Sequence, residues 1–136
     1  MFEKEQMVHN FLQNITNKLV LSGFFIITIP DSNVILKRMR KFGKKSENSN
    51  DDYFKMGNQY YSIKMPSLKF PVDKLYGLDY GFYLSGAVGN IQENNFEYVT
   101  EYLIEMKNLI KIAKKYGLIM VENINFLKFS EKYLNE

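Results

Sequence analysis

The sequence predicts an α/β fold whose sheet carries an antiparallel elaboration, and three observations lead there. Apolar residues recur at helical spacing near the amino terminus and again near the carboxyl terminus. A continuous β-branched run, FFIITI at 24–29, follows the first of these segments after a glycine stop. Two further strand-like stretches, 58–65 and 78–88, stand between the helical segments, separated by prolines.

Each element has its own signal. From Phe2 to Val20, Val8, Phe11, Leu12, Ile15 and Leu19 make one apolar stripe, and Ser22-Gly23 ends it. FFIITI, closed by Pro30, suits a strand buried on both faces, as in a parallel sheet covered by helices. Asp31 or Ser32 can cap a second helix carrying Val34, Ile35 and Met39, which runs into the basic residues Lys37, Arg38, Arg40, Lys41, Lys44 and Lys45. The polar SENSNDD that follows reads as a flexible surface loop. NQYYSIKM and LDYGFYLSGAV are strands, and a helix is expected from about Val99 to Tyr116, where Tyr102, Met106, Leu109, Ala113 and Tyr116 keep a spacing of three and four before Gly117. A strand LIMVENI and a short helix FLKFSEKYL close the chain.

Composition bounds the chemistry. The chain has 136 residues, enough for one domain with a real core, and 46% hydrophobic with 24% charged residues is ordinary for a globular protein. With no cysteine, disulfides, thiolate catalysis and cysteine-ligated zinc are excluded, and His9 as the single histidine makes a transition-metal site unsupported. The amino terminus alternates charges instead of presenting an apolar signal core, and no apolar stretch is long enough to predict a membrane span. A net charge of +3 biases the chain mildly towards polyanions. None of the eight glycines sits in a GxGxxG or GxxxxGK[ST] setting, so no phosphate-cradling loop is read.

Residues 78–88 raise the functional question, because they concentrate aromatic rings and glycines in one strand-like stretch. Rings on a rigid strand suit stacking against a flat ligand, and core packing accounts for them equally.

Three segments together resemble the mRNA cap guanine-N7 methyltransferases. GFFIITIPDSNVILKRMR is similar to the family's strand, proline turn and following helix; MGNQYYSIKM to its Phe-Gly-Asn-x-x-Tyr hairpin, with Met56 in place of the Phe. YGFYLSGAV followed by TEYLIEMKNLIKIAKKYGLIMVENINFLKF resembles its Tyr-x-Phe-x-Leu strand, its Glu-Tyr/Phe-Leu-Val helix start and its Ala-Lys-Lys-Tyr helix end. The resemblance implies that residues 1–136 are the carboxyl-terminal part of the methyltransferase domain, an incomplete class I, Rossmann-like, S-adenosylmethionine-dependent fold. The family's glycine-rich cofactor loop and a His-Tyr pair of its guanine pocket are expected before Met1, and its last strand after Glu136. NIQENNFEYV looks like an insertion between the aromatic strand and Glu101.

The resemblance further implies methylation of the cap guanine at N7, on the capped 5′ end of mRNA, in the nucleus. Guanine N7 carries no proton, so an in-line attack on a sulfonium methyl needs no general base, and no catalytic acid–base residue is expected. Glu101 is implied as the carboxylate that reads guanine; its oxygens can accept from N1 and N2 of one base edge. As a residue of the expected helix, it is equally explained by a first-turn glutamate on the helix dipole. Tyr80 and Phe82 are implied as pocket rings and Pro30 as a residue against the base, with Asp31 beside it or serving as an N-cap. Lys37, Arg38, Lys41 and Lys44 suit RNA or cap phosphates, or a solvated face. His9 reads as structural, and Lys114 and Lys115 as support for a helix end. The expectation is that this chain alone neither binds S-adenosylmethionine nor turns over without an upstream half or partner chain. The alternative is a non-catalytic cap- or RNA-binding module that completes a separate methyltransferase chain.

Overall fold

The computed structural model describes residues 2–46, 52–71, 73–92 and 95–134; the expected flexible loop falls largely on 47–51, outside the described residues. A five-stranded antiparallel sheet in the order β1 (Lys44–Lys45), β2 (Phe54–Gly57), β3 (Tyr61–Met65), β4 (Tyr76–Leu84), β7 (Val99–Ile104) forms the centre. A separate hairpin pairs β5 (Asn90–Gln92) with β6 (Asn95–Glu97). The helices are α1 (Glu5–Thr16), α2 (Ser32–Phe42), α3 (Met106–Lys114) and α4 (Phe126–Tyr133). Mixed helix and antiparallel sheet is thus the architecture of the described residues, and among them no helix is long and apolar enough to cross a membrane.

Two apolar clusters hold it together. Leu36 and Met39 of α2 lie on Ile63, Met65, Leu78, Tyr80 and Leu103, the inward side chains of β3, β4 and β7. Phe2, Val8 and Leu12 pack with Ile104, Leu109 and Ile112 of β7 and α3. One strand serves both clusters because β4 carries a bulge between Tyr76 and Leu78. Gly77 sits there at φ +72°, its N–H bonds to the Phe2 carbonyl at 2.9 Å, and a Cβ on it would come within 2.8 Å of the Glu3 carbonyl. Tyr76 therefore joins the α1–α3 side, and Leu78 the α2 side.

Several expectations are corrected. FFIITI forms no strand ladder: its exposure alternates, with Phe24 at 78% and Ile26 at 87% exposed, while Phe25 packs edge-on against Phe11 of α1 and Ile29 joins the second cluster. An apolar run is buried on both faces only when neighbouring strands and helices cover it, and among the described residues none pairs with it. LIMVENI likewise stays outside any sheet, with Ile119 and Val121 each 80% exposed. The expected helix of 99–116 begins only at Met106. Val99–Ile104, dense in β-branched and aromatic side chains, pairs with β4, and the Glu105 carboxylate caps α3 through the Asn108 N–H at 3.0 Å. Residues 58–60 are a turn rather than strand, because the Asn58 side chain accepts from the Tyr60 and Tyr61 N–H groups at 2.8 and 3.1 Å. The aromatic strand starts at Tyr76 and ends at Leu84, short of the expected Val88.

Candidate functional site

Tyr80 and Glu101 are Cα partners across β4 and β7, with side chains on the face that α2 covers. Alternation puts Leu78, Tyr80 and Phe82 on that face, and the same period puts Glu101 and Leu103 there from β7. The Tyr80 hydroxyl donates to Glu101 Oε2. Tyr80 is only 3% exposed, and its phenol is pushed far above its ordinary ionisation range, first by burial and then by the hydrogen bond and negative charge of Glu101. Phe82 lies half-buried beside it, ring centroids 6.4 Å apart and tilted by 54°. Glu101 is half-buried, and its carboxylate is anchored at one oxygen by that bond.

The structure thus brings Tyr80, Phe82 and Glu101 together and changes two of the sequence readings. Glu101 stands on a strand, so the helix-dipole explanation of it falls with the helix. Tyr80 is a buried hydrogen-bond donor, a role its ring chemistry did not announce; the signal is the cross-strand pairing, which the sequence hid by reading as helix through Val99–Ile104.

Pro30 and Asp31 lie at the start of α2, whose Ile35, Leu36 and Met39 cover the Tyr80 face, and neither hydrogen-bonds to the Tyr80–Glu101 pair. Asp31 is the N-cap, accepting from the Asn33 and Val34 N–H groups at 2.9 and 3.3 Å. Ser32, the other capping candidate, is instead inside the first turn, 2% exposed, with its hydroxyl unpaired among the described residues. An unsatisfied buried hydroxyl costs about 1–3 kcal/mol, a local cost at the start of α2 that the sequence did not signal.

The basic run divides. Lys37, Arg38 and Lys41 stand exposed on α2, whereas Lys44 is on β1, and its pairing with Lys55 turns it to the sheet face away from α2. Lys45 pairs with Asp52 at 2.9 Å. His9 is held between the Tyr116 hydroxyl at 2.7 Å and Glu5 at 3.6 Å, a bridge from α1 to the end of α3.

The described residues do not fit S-adenosylmethionine. A cofactor cradle of the Rossmann-like kind needs a glycine-rich strand-to-helix turn that admits the ligand to the backbone. Here β7 enters α3 through Ile104-Glu105-Met106 and the chain enters α2 through Pro30-Asp31-Ser32, without glycine, and each helix start is already taken by its own carboxylate. Among the described residues there is no cluster of acidic and histidine side chains suited to a metal ion.

A family model for the mRNA (guanine-N(7))-methyltransferase domain matches residues 1–136. Among curated proteins, the chain is 29% identical over 134 residues to the mRNA cap guanine-N(7) methyltransferase of Drosophila melanogaster, covering 98% of this chain and 27% of that protein. It is 29% identical over 133 residues to the Saccharomyces cerevisiae enzyme of the same name (94% and 28%), and 31% over 120 residues to that of Cryptococcus neoformans (88% and 17%). The chain spans less than a third of the length of these relatives. With the match running from the first residue to the last, and with the hairpin, aromatic strand and Glu-Tyr-Leu segment falling in one sheet, the chain belongs to the mRNA (guanine-N(7))-methyltransferase domain family.

Proposed function

We propose that this chain supplies the guanine-reading wall of an mRNA cap guanine-N7 methyltransferase, which moves a methyl group from S-adenosylmethionine to N7 of the 5′ cap. The carrying observation is half-buried Glu101, its carboxylate fixed through one oxygen by the buried Tyr80 hydroxyl. Held this way it accepts from the N1 and N2 donors of guanine in a single orientation, which aims N7 without any proton transfer at that atom. Phe82 adds apolar surface beside the pair, Pro30 and Asp31 border the base from the start of α2, and Lys37, Arg38, Lys41 and Lys44 meet phosphates. Residues outside these 136 form the cofactor site and complete a class I sheet. Exposed Phe24, Ile26, Ile119 and Val121, on segments without ladder partners among the described residues, support such completion in cis or by a partner chain. The site of action is nuclear, where caps are finished.

The test is discrimination among cap analogues. In the chain combined with a cofactor-binding half, a guanine cap is expected to bind more tightly than an inosine cap, which lacks the N2 donor, and an adenine cap more weakly still. Glu101→Gln should weaken guanine by roughly 10- to 100-fold, the equivalent of one charge-assisted contact, and leave adenine unchanged. Equal loss for both bases would remove Glu101 from guanine reading. The isolated chain is expected to show no heat of S-adenosylmethionine binding in calorimetry, and such heat would place cofactor residues within it.

A further inference from the structure

The face of the sheet turned away from α2 carries a row of lysines, of which only Lys44 entered the reading above. Lys44 on β1, Lys55 on β2 and Lys64 on β3 are consecutive Cα partners, so their side chains emerge side by side on one face. Like charges directly opposed across strands cost stability, so the alignment is not one that folding favours by itself. The register is imposed from the other face, where Phe54, Met56, Ile63 and Met65 alternate with these lysines and pack into the first cluster.

Among the described residues no carboxylate neutralises the row. None of the three lysines forms an ion pair there; of the acidic groups on that side, Asp79 forms none and Glu97 accepts from Asn90 at 3.0 Å. Two of the three ammonium groups rest on aromatic rings instead. Lys55 Nζ is 4.7 Å from the Phe96 ring centroid and Lys64 Nζ 4.0 Å from that of Tyr53. A ring orients an ammonium through its quadrupole and, unlike a carboxylate, leaves the full charge available to an anion. Phe96 belongs to β6, and its position is built: its ring stands 4.6 Å from Tyr83 and 6.0 Å from Tyr98. The Tyr98 hydroxyl bonds Ser62 Oγ at 2.8 Å, and its ring fills the space left by Gly81, where a Cβ would meet the Tyr98 Cβ at 2.9 Å. The β5–β6 hairpin thus acts as the floor under a cationic row.

We propose that this face, with Lys44, Lys55 and Lys64 as its phosphate-binding row, docks the RNA chain that follows the cap. The inference rests on the capped-RNA reading above. Unneutralised cations interleaved with planar rings suit a single strand, whose phosphates and bases both find partners. The path is short. Across the sheet the register runs from Lys64 through Gly81, where the half-buried Tyr98 ring covers the face, to Thr100 on β7, next to Glu101, whose side chain lies on the opposite face. A strand leaving guanine at Glu101 passes round the β7 edge and reaches Lys64 two strand spacings, about 10 Å, further on.

The experiment measures binding of an uncapped single-stranded oligoribonucleotide to the chain combined with its cofactor-binding half, across a salt series. For a single strand, removing one lysine–phosphate pairing flattens the plot of log affinity against log salt by about 0.7. Lys55→Gln with Lys64→Gln should therefore reduce the slope by about 1.4, Lys55→Arg with Lys64→Arg should keep it, and the equal charge change Lys111→Gln with Lys114→Gln on α3 should leave it unaltered. Because the oligonucleotide has no cap, this result stands or falls separately from discrimination by Glu101. An unchanged slope in the first variant overturns the proposal, as does an equal change in the α3 control. Lysine-dependent binding of poly-glutamate with RNA binding unaffected would also overturn it, in favour of an acidic protein partner.

Discussion

Replacing Tyr80 with Phe isolates the bond that holds the site. The ring stays in the first cluster, packed with Leu78 and Leu103, so the substitution removes only the hydroxyl and its donation to Glu101. A hydrogen bond to a charged acceptor contributes about 1.5–3 kcal/mol, and half-exposed Glu101 recovers part of this from water, so a loss of about 1.5 kcal/mol is expected. In urea denaturation, with a slope of about 1.5–2 kcal/mol/M, the midpoint should fall by roughly 0.8–1 M at unchanged slope. A double-mutant cycle with Glu101→Gln should return a coupling of about 1 kcal/mol or more. The pH dependence gives an independent sign. Because the folded-state phenol is raised, wild type and Tyr80→Phe should run parallel below pH about 10. Above it the unfolded tyrosine ionises and the folded one does not, so wild type should lose stability relative to the variant by about 1.4 kcal/mol per pH unit. Additivity of the two substitutions within about 0.3–0.5 kcal/mol, or parallel pH curves above about 10, would refute a held carboxylate.

Adjacent residues at the start of α2 should respond with opposite signs. Asp31→Ala removes the cap on Asn33 and Val34 and should destabilise by about 1 kcal/mol, while Ser32→Ala removes an unpaired buried hydroxyl and should stabilise by a similar amount; chemical denaturation of the two variants checks both. Gly81→Ala sets a Cβ against the Tyr98 ring and should cost about 1–3 kcal/mol, with loss of the hairpin's amide protection in hydrogen exchange before that of β3 and β4.

The sequence made the helices and the hairpin legible where local chemistry decides them: the Asp31 cap and the alternation through SIKM and DYGFY are short-range signals. What it concealed was set by partners distant in the chain. Val99–Ile104 satisfies a helical spacing as well as a strand one, and only the waiting edge of β4 selects the strand. FFIITI reads as a buried strand and LIMVENI as a strand from composition, yet pairing and burial are properties of neighbours, and the described residues supply too few. Glu101 and Phe82 were readable as site candidates from the family's motifs. The Tyr80 hydroxyl bond, the orphaned Ser32 and the lysine row were not, because each depends on register across strands or on depth in the core.

The β5–β6 hairpin also bears on how quickly the sheet assembles. β4 and β7 must find each other across residues 85–98, and loop closure of that kind is entropically costly before any pairing is gained. When Asn90–Gln92 zips against Asn95–Glu97, the free loop is roughly halved, which lowers the closure cost by about 0.6 kcal/mol. A local pairing that forms early thereby lowers the entropic cost of the non-local one that brings Glu101 to Tyr80.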